Sequence, residues 1–287
     1  MTISRLLLLT ASASVGTALL LSGVKFFAWN VTGSVSMLAS FFDSLLDLLA
    51  SGINFFAIRY SLLPPDEKHR FGHGKAESLA GLGQSLFLLG SSVFLLWSAG
   101  VRLLSPSSVE KSGVGVAVIL FSLVATILLL LLQRKTMART NSLAIRADSL
   151  HYLSDILSNI AVLCALVLAS FGWMFADPLF AIGIALYLLG SAFHIFRDSL
   201  QTLLDEESPQ ETRQKIMRIV SLHPDILGIH DLRTRQAGQT LFIQFHLELD
   251  AKLPLDDAHA IAGKVKYDIR QEFPNADILV HQDPRKI

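Results

Sequence analysis

One cysteine in 287 residues leaves this chain without a disulfide framework or a thiolate zinc cluster, and Cys164 lies in an apolar run where packing is its natural role. Charge is scarce as well. Only 17% of the residues are Asp, Glu, Lys or Arg, against 52% hydrophobic, which is too apolar for an ordinary soluble protein of this length. The 24 basic residues are balanced by 24 acidic ones, so no net field draws nucleic acid to the chain. No GxxxxGK[ST] loop occurs, which argues against ATP drive, and the glycines, Gly72 and Gly74 among them, form no dinucleotide fingerprint after a strand. HExxH is missing too, so a membrane zinc protease would lack its general base. A nucleotide-driven pump and an enzyme are both disfavoured.

What is present is apolar sequence in long runs. Six stretches of about membrane length can be placed at Leu6 to Trp29, Val35 to Tyr60, Leu79 to Leu104, Val114 to Leu132, Leu143 to Phe171 and Pro178 to Leu200, each able to cross roughly 30 Å of hydrocarbon. The first resembles a signal peptide's core but runs on as membrane-grade sequence, and is expected to be retained. Lys and Arg cluster after spans two and four (Arg59, Lys68, Arg70, Lys75; Arg134, Lys135, Arg139). Only Arg102 and Lys111 follow span three, and none follows spans one and five. By the positive-inside rule both termini face the cytoplasm. Lys25, near the outer end of span one, reads as a snorkelling lysine.

From Pro209 the pattern becomes globular. Glu211 to Leu222 and Ala258 to Phe273 alternate as amphipathic helices; Ile229 to Arg235, Leu241 to Leu249 and Asp277 to Gln282 alternate as strands, the first two turned by Ala237-Gly238-Gln239. The expected architecture is an α-helical membrane protein with six transmembrane helices, residues 1–207, followed by a cytoplasmic α+β domain, residues 208–287, of αββαβ, ferredoxin-like order. Along the second strand Ile243, Phe245, Leu247 and Leu249 should face the helices. Phe242, Gln244, His246 and Glu248 fall on the open face.

The fifth span is the least apolar, and its anomaly carries chemistry. RADSLHYLSD sets His151 and Asp155 four residues apart, on one helical face, and FFDSLLDLLA in span two does the same with Asp43 and Asp47. A carboxylate at mid-bilayer costs about 2.5 to 3.5 kcal/mol on insertion scales, so three of them with a histidine need a compensating charge. One nitrogen and three oxygen donors suit a tetrahedral divalent ion, Zn²⁺ first and Fe²⁺, Mn²⁺, Co²⁺ or Cd²⁺ behind it. The alternative is a buried structural network of Asp with Ser or Arg. Asp148 is either a further acid on the ion's path or, preferably, a partner for Arg146. An empty cluster of buried carboxylates takes up protons that an arriving dication expels, so metal and proton should exchange.

Two other groups are weaker on spacing alone. Asp66, His69 and His73 offer an open three-ligand site between spans two and three, or else a proline-broken polar loop with solvated histidines. His230, His246, His259, His281 and Asp283 are scattered over the C-terminal domain, where they are either surface residues or ligands of a small-sheet metal site. His223 and His194 read as structural.

Asp43-x3-Asp47, His151-x3-Asp155, FGHGKAES at Phe71 to Ser78 and HDLRTRQAG at His230 to Gly238 together resemble the cation diffusion facilitator family, and more narrowly its FieF-type branch in bacteria, over nearly the whole chain. The resemblance implies a homodimeric antiporter of the inner membrane that exports Zn²⁺, and Fe²⁺ or Cd²⁺, against inward protons. It carries the transport site onto Asp43, Asp47, His151 and Asp155, with His at 151 favouring zinc and cadmium over manganese. It also implies metal at the Asp66, His69 and His73 loop. His230, His246, His259, His281 and Asp283 would then form a binuclear regulatory or structural zinc site near the dimer interface. Partners are thus a second copy of the chain, divalent metals, protons and the lipid bilayer, with no nucleic acid or nucleotide. A metal-gated channel or a membrane sensor without coupled transport is the alternative in another class.

Overall fold

In the computed structural model, which describes residues 2–104, 113–171, 173 and 175–286, the chain divides into two compact units, Met1–Leu200 and Gln201–Ile287. Lys111, counted above among the basic residues after span three, lies outside the described residues. The helices of the first part are α1 (Ile3–Thr32), α2 (Val35–Ser61), α3 (Lys75–Leu104), α4 (Gly113–Thr140), α5 (Leu143–Ser170) and α6 (Ala176–Leu203). Backbone groups in hydrocarbon are satisfied only inside the helix, so several run past their apolar stretch until the chain meets a breaker. Gly33, left-handed at φ 62, closes α1 by donating its N–H to the Trp29 carbonyl at 2.7 Å. Between α4 and α5, Asn141 turns left-handed at φ 49, and the Ser142 hydroxyl accepts the Ile145 N–H at 3.2 Å, capping α5.

Among the described residues, α1, α2, α3, α4 and α6 are long and apolar enough to cross a membrane; the polar residues of the fifth span, Arg146, Asp148, His151 and Asp155, fall in the first turns of α5. Its neighbours house that polar third. Helix α5 packs on α3 and α4 and also meets α1 and α2, with Ala144, Ile145, Ala147 and Tyr152 fully buried. Small residues let the backbones approach. At Gly81 of α3 an added Cβ would lie 2.9 Å from Ser199 Oγ of α6 and 3.4 Å from Leu143 of α5, so any larger residue would oblige the Ser199 hydroxyl to move. Phe56, Leu79, Trp97 and Leu128 point outward, where lipid would cover them.

The second part runs α7 (Gln210–Ser221), β1 (Gly228–Ala237), β2 (Thr240–Asp250), α8 (Leu255–Glu272) and β3 (Ala276–Arg285), the αββαβ order expected. Strands β1 and β2 form an antiparallel hairpin closing at the Ala237–Thr240 pair, while β3 lies parallel to β2 on its other side after the α8 crossover. Ile243, Phe245, Leu247 and Leu249 pack against Ile216 and Val220 of α7 and Ala262, Val265 and Ile269 of α8. Phe242 keeps to the open face, yet it is buried there, with the Arg235 guanidinium of β1, its cross-strand partner, 4.8 Å above its ring. A bulge in β1 between His230 and Arg233 puts Asp231 at φ 50, a conformation Asp tolerates better than most side chains.

Candidate metal centres

Among the described residues, three groups of histidine and carboxylate bring one donor atom each to within 4.8 Å of one another: Asp47, His151 and Asp155; Asp66, His69 and His73; and His230, His246 and Asp283. The first lies between α2 and α5. His151 Nε2 sits 2.9 Å from Asp47 Oδ1 with its ring buried, and Asp155, one turn along α5, adds the third donor. The helical spacing puts His151 and Asp155 on one face, and the rotation of α2 brings Asp47 to meet them. Asp43 is outside this group. It lies one turn before Asp47, and its side chain is exposed, so the structure assembles three of the four ligands expected.

Two charges nearby stand differently from the sequence reading. Lys25 does not reach for the membrane surface: its Nζ donates to Ser44 Oγ on α2 at 2.6 Å, between Asp43 and Asp47. Arg146 pairs with Asp198 at 2.6 Å, not with Asp148. Asp148 is fully buried and collects donors from three other helices, Gln133 Nε2 at 2.8 Å, Gln84 Nε2 at 3.4 Å and the Ser51 hydroxyl at 3.5 Å. Ser51 and the Tyr152 hydroxyl are 2.9 Å apart, and Tyr152 donates to the Ser14 carbonyl at 3.1 Å. This node ties α5 to α1, α2, α3 and α4. The polar residues of those helices signalled it only faintly, since their register against α5 is a matter of tertiary packing.

In the loop after α2, Asp66 Oδ1 accepts the backbone N–H groups of Lys68 at 2.9 Å and His69 at 2.6 Å, an Asx turn. Its other oxygen lies 3.3 Å from His73 Nε2. The His69 N–H, above all, holds the Asp66 carboxyl below the usual carboxylate range. The His73 ring is buried edge-on against Tyr60, centroids 4.5 Å apart, so only His69 and Asp66 of the three are open to water.

The third group follows from strand register. His230, His246 and His281 are paired neighbours across β1, β2 and β3, so they form one row on the open face, ring centroids 5.0 and 4.6 Å apart. Two residues along, Gly228, Glu248 and Asp283 form the next row on that face. Asp283 bridges the histidines: Oδ2 is 2.8 Å from His246 Nδ1 and 3.2 Å from His230 Nε2, and Oδ1 is 3.2 Å from His281 Nε2. The hydrogen bond from His246 is the main reason its carboxyl lies below the usual range. Glu248 orients His230 through Nδ1 at 3.0 Å and is itself held by Arg285 at 2.6 Å. A Cβ at Gly228 would come within 2.7 Å of Glu248 Oε2, so glycine there leaves space for the orienting carboxylate. Asp231, in the bulge, lies 3.8 Å from His246 Nε2.

His259 does not join this row. It sits on α8, which covers the opposite face of the sheet, and lines a shallow depression with Lys266, Arg270 and Gln282. His223, read as structural and partnerless, has Asp268 of α8 at 3.1 Å.

Comparison with known proteins identifies the family of the chain as a whole. The family profile described as the cation efflux transmembrane domain matches residues 11–204, and that described as the cation efflux protein cytoplasmic domain matches residues 208–285. The cation-efflux pump FieF of Shewanella oneidensis is 52% identical over 279 residues, 97% of this chain and 94% of that one. The Klebsiella pneumoniae protein of the same name is 50% identical over 277 residues, covering 96% and 92%. Among solved structures, CzrB in its Zn form covers 29% of this chain and 99% of its own at 31% identity, with a TM-score of 0.27. The metal-bound C-terminal domain of the CzcD transporter from Thermotoga maritima covers 26% and 87% at 24% identity, with a TM-score of 0.25. With both profiles matched in order, and relatives about half identical along nearly its full length, the chain belongs to the cation efflux, or cation diffusion facilitator, family of membrane transporters.

Proposed function

We propose that the protein exports a divalent transition metal, Zn²⁺ before Cd²⁺ or Fe²⁺, from the cytoplasm in exchange for protons. Residues 1–207 act as the transport domain and 208–287 as a cytoplasmic metal-binding and dimerisation domain, with both termini cytoplasmic and the protein in the inner membrane. The observation that carries the reading is the meeting of Asp47, His151 and Asp155 between α2 and α5, His151 Nε2 2.9 Å from Asp47 Oδ1. A nitrogen and two carboxylates suit a borderline-soft dication, and Asp43, one turn away, is the fourth ligand when α2 turns toward α5. The cargo is bound where its charge offsets buried carboxylates, and protons replace it when it leaves.

Alternating access then needs α2 and α5 to shift together relative to the other helices, so that their shared site opens to one side of the membrane at a time. The cluster of His230, His246 and Asp283, with His281 beside it, holds regulatory zinc and tightens a homodimer. Asp66, His69 and His73 bind metal more weakly, at the surface.

Metal uptake into vesicles reconstituted with the purified protein, using a panel of divalent ions with and without an imposed pH gradient, tests this. The expected result is saturable zinc uptake that follows the gradient in wild type and disappears in Asp47→Ala. Uptake indifferent to the gradient would overturn proton exchange, and unsaturable uptake would mark a channel.

A further inference from the structure

The transport cluster has a cation of its own. Lys25 lies seven residues before the end of α1, deep enough that a long side chain seeking water would extend toward the helix end. Instead the ammonium donates to the Ser44 hydroxyl at 2.6 Å, and Ser44 is buried, with its carbonyl held by Ser22 of α1 at 2.8 Å. Ser44 follows Asp43 directly and precedes Asp47 by less than a turn, so the tether holds the ammonium beside the acidic end of α2.

The geometry points to Lys25 as a built-in competitor of the cargo, a residue that lowers the affinity of the transport site for a dication and so speeds its release. This rests on the transport site proposed above. In the metal-free state one positive charge partly balances the carboxylates of α2 and α5. When a dication enters, the same ammonium faces it across a poorly screened space, where like charges repel far more strongly than in water. A carrier gains from weak binding only if the ion must leave quickly, and an ammonium that attracts the empty carboxylates and repels the bound dication weakens binding on both counts. Ser44 keeps that charge near the ion without letting it become a ligand.

Zinc uptake by the reconstituted full-length protein reads this directly. Lys25→Met should lower the apparent KM at least about threefold and lower kcat with it, while Lys25→Arg, which keeps the charge, should stay within about twofold of wild type. A second arm removes doubts about folding. Lys25→Cys in a Cys164→Ser background is treated with aminoethyl methanethiosulfonate, which forms a disulfide, releases methanesulfinate and restores an ammonium, or with the methyl reagent, which adds none. The aminoethyl adduct should return KM toward wild type and the methyl adduct should leave it low. Equal KM values in the two adducts, or an unchanged KM in Lys25→Met, overturn the assignment. If wild type itself shows no saturable uptake, or Asp47→Ala still transports, the transport site fails and Lys25 with it; the arms above are read in protein that transports.

Discussion

The helical cluster and the sheet cluster use the same ligand types but are built on different principles. Asp47, His151 and Asp155 come from two helices whose only bond between those donors is the 2.9 Å contact of His151 with Asp47. Their mutual distance depends on how α2 and α5 pack. His230, His246 and His281 are rungs of one hydrogen-bonded ladder, spaced by the sheet itself, with Asp283 bridging them and Glu248 and Arg285 bracing His230 from behind. A small sliding or turning of helices undoes the first arrangement, whereas the second comes apart only with the sheet. Cargo that must be released suits the former, and an ion that stays suits the latter.

The largest effects should separate the two. Asp47→Ala or His151→Ala is expected to cut kcat/KM for zinc uptake by at least about 100-fold, more than loss of an outer-sphere partner would. Asp43→Asn, outside the three-donor group, should cost closer to tenfold. Equal losses at 43 and 47 would mean that Asp43 holds the ion as firmly as Asp47 and is no late-joining ligand. In the sheet, His246→Ala should abolish zinc-dependent closure measured with a distance probe on the cytoplasmic domain. Glu248→Gln should weaken zinc binding there by about tenfold, as loss of a histidine's orienting partner typically does. Closure that persists in His246→Ala would remove the regulatory role.

How far each cluster could be read from sequence follows from the same difference. The i, i+4 pairs were visible because helical period alone sets which side chains share a face, and the αββαβ order was visible because period-two alternation with a Gly turn leaves little choice. The exclusion of Asp43 was not, since it depends on a rotation of α2 that no local pattern encodes. The histidine row was hidden by register: the β1 bulge at Asp231 decides which residue faces His246. His259 is a different failure. Strand alternation already put His246 on the face away from the helices, so a histidine on α8 could not meet it within one chain. Asp148 was misread because Arg146, two residues away, is adjacent in sequence but turned elsewhere on the helix, toward Asp198.

Asp148 sharpens the contrast from the membrane side. If its node fixes where α5 sits, Asp148→Leu should leave one N–H of the Gln133 amide, whose nitrogen also donates to Ser14 Oγ at 3.1 Å, buried without an acceptor, at a cost of about 1 to 3 kcal/mol. Asp148→Asn, which retains an acceptor oxygen, should lose less. Thermal unfolding in detergent reads both, and the paired uptake assay should show a KM change smaller than that of Asp47→Ala. Equal destabilisation by Leu and Asn would indicate that charge, not hydrogen bonding, holds the node.

The smallest effect concerns acid and the sheet. The Asp283 carboxyl is held below the usual range first by the hydrogen bond from His246, then by the charges of His246, His281 and His230. A carboxyl whose folded value is depressed contributes stability that is fully present above its unfolded value, about 3.9, and that is lost as pH falls through the lower folded value. In metal-free protein, Asp283→Asn should therefore loosen the β2 and β3 amides slightly at pH 7, seen as faster hydrogen exchange after correction for intrinsic rates. The gap between variant and wild type should close only as the pH falls through that lower folded value, where the Asp283 side chain becomes neutral as well. A gap that keeps its size from pH 7 down through that titration would show that Asp283 supports the sheet through shape alone. The ladder would then hold the histidine row without help from its bridging charge, and the metal-free cluster would be even more rigid than its hydrogen bonds suggest.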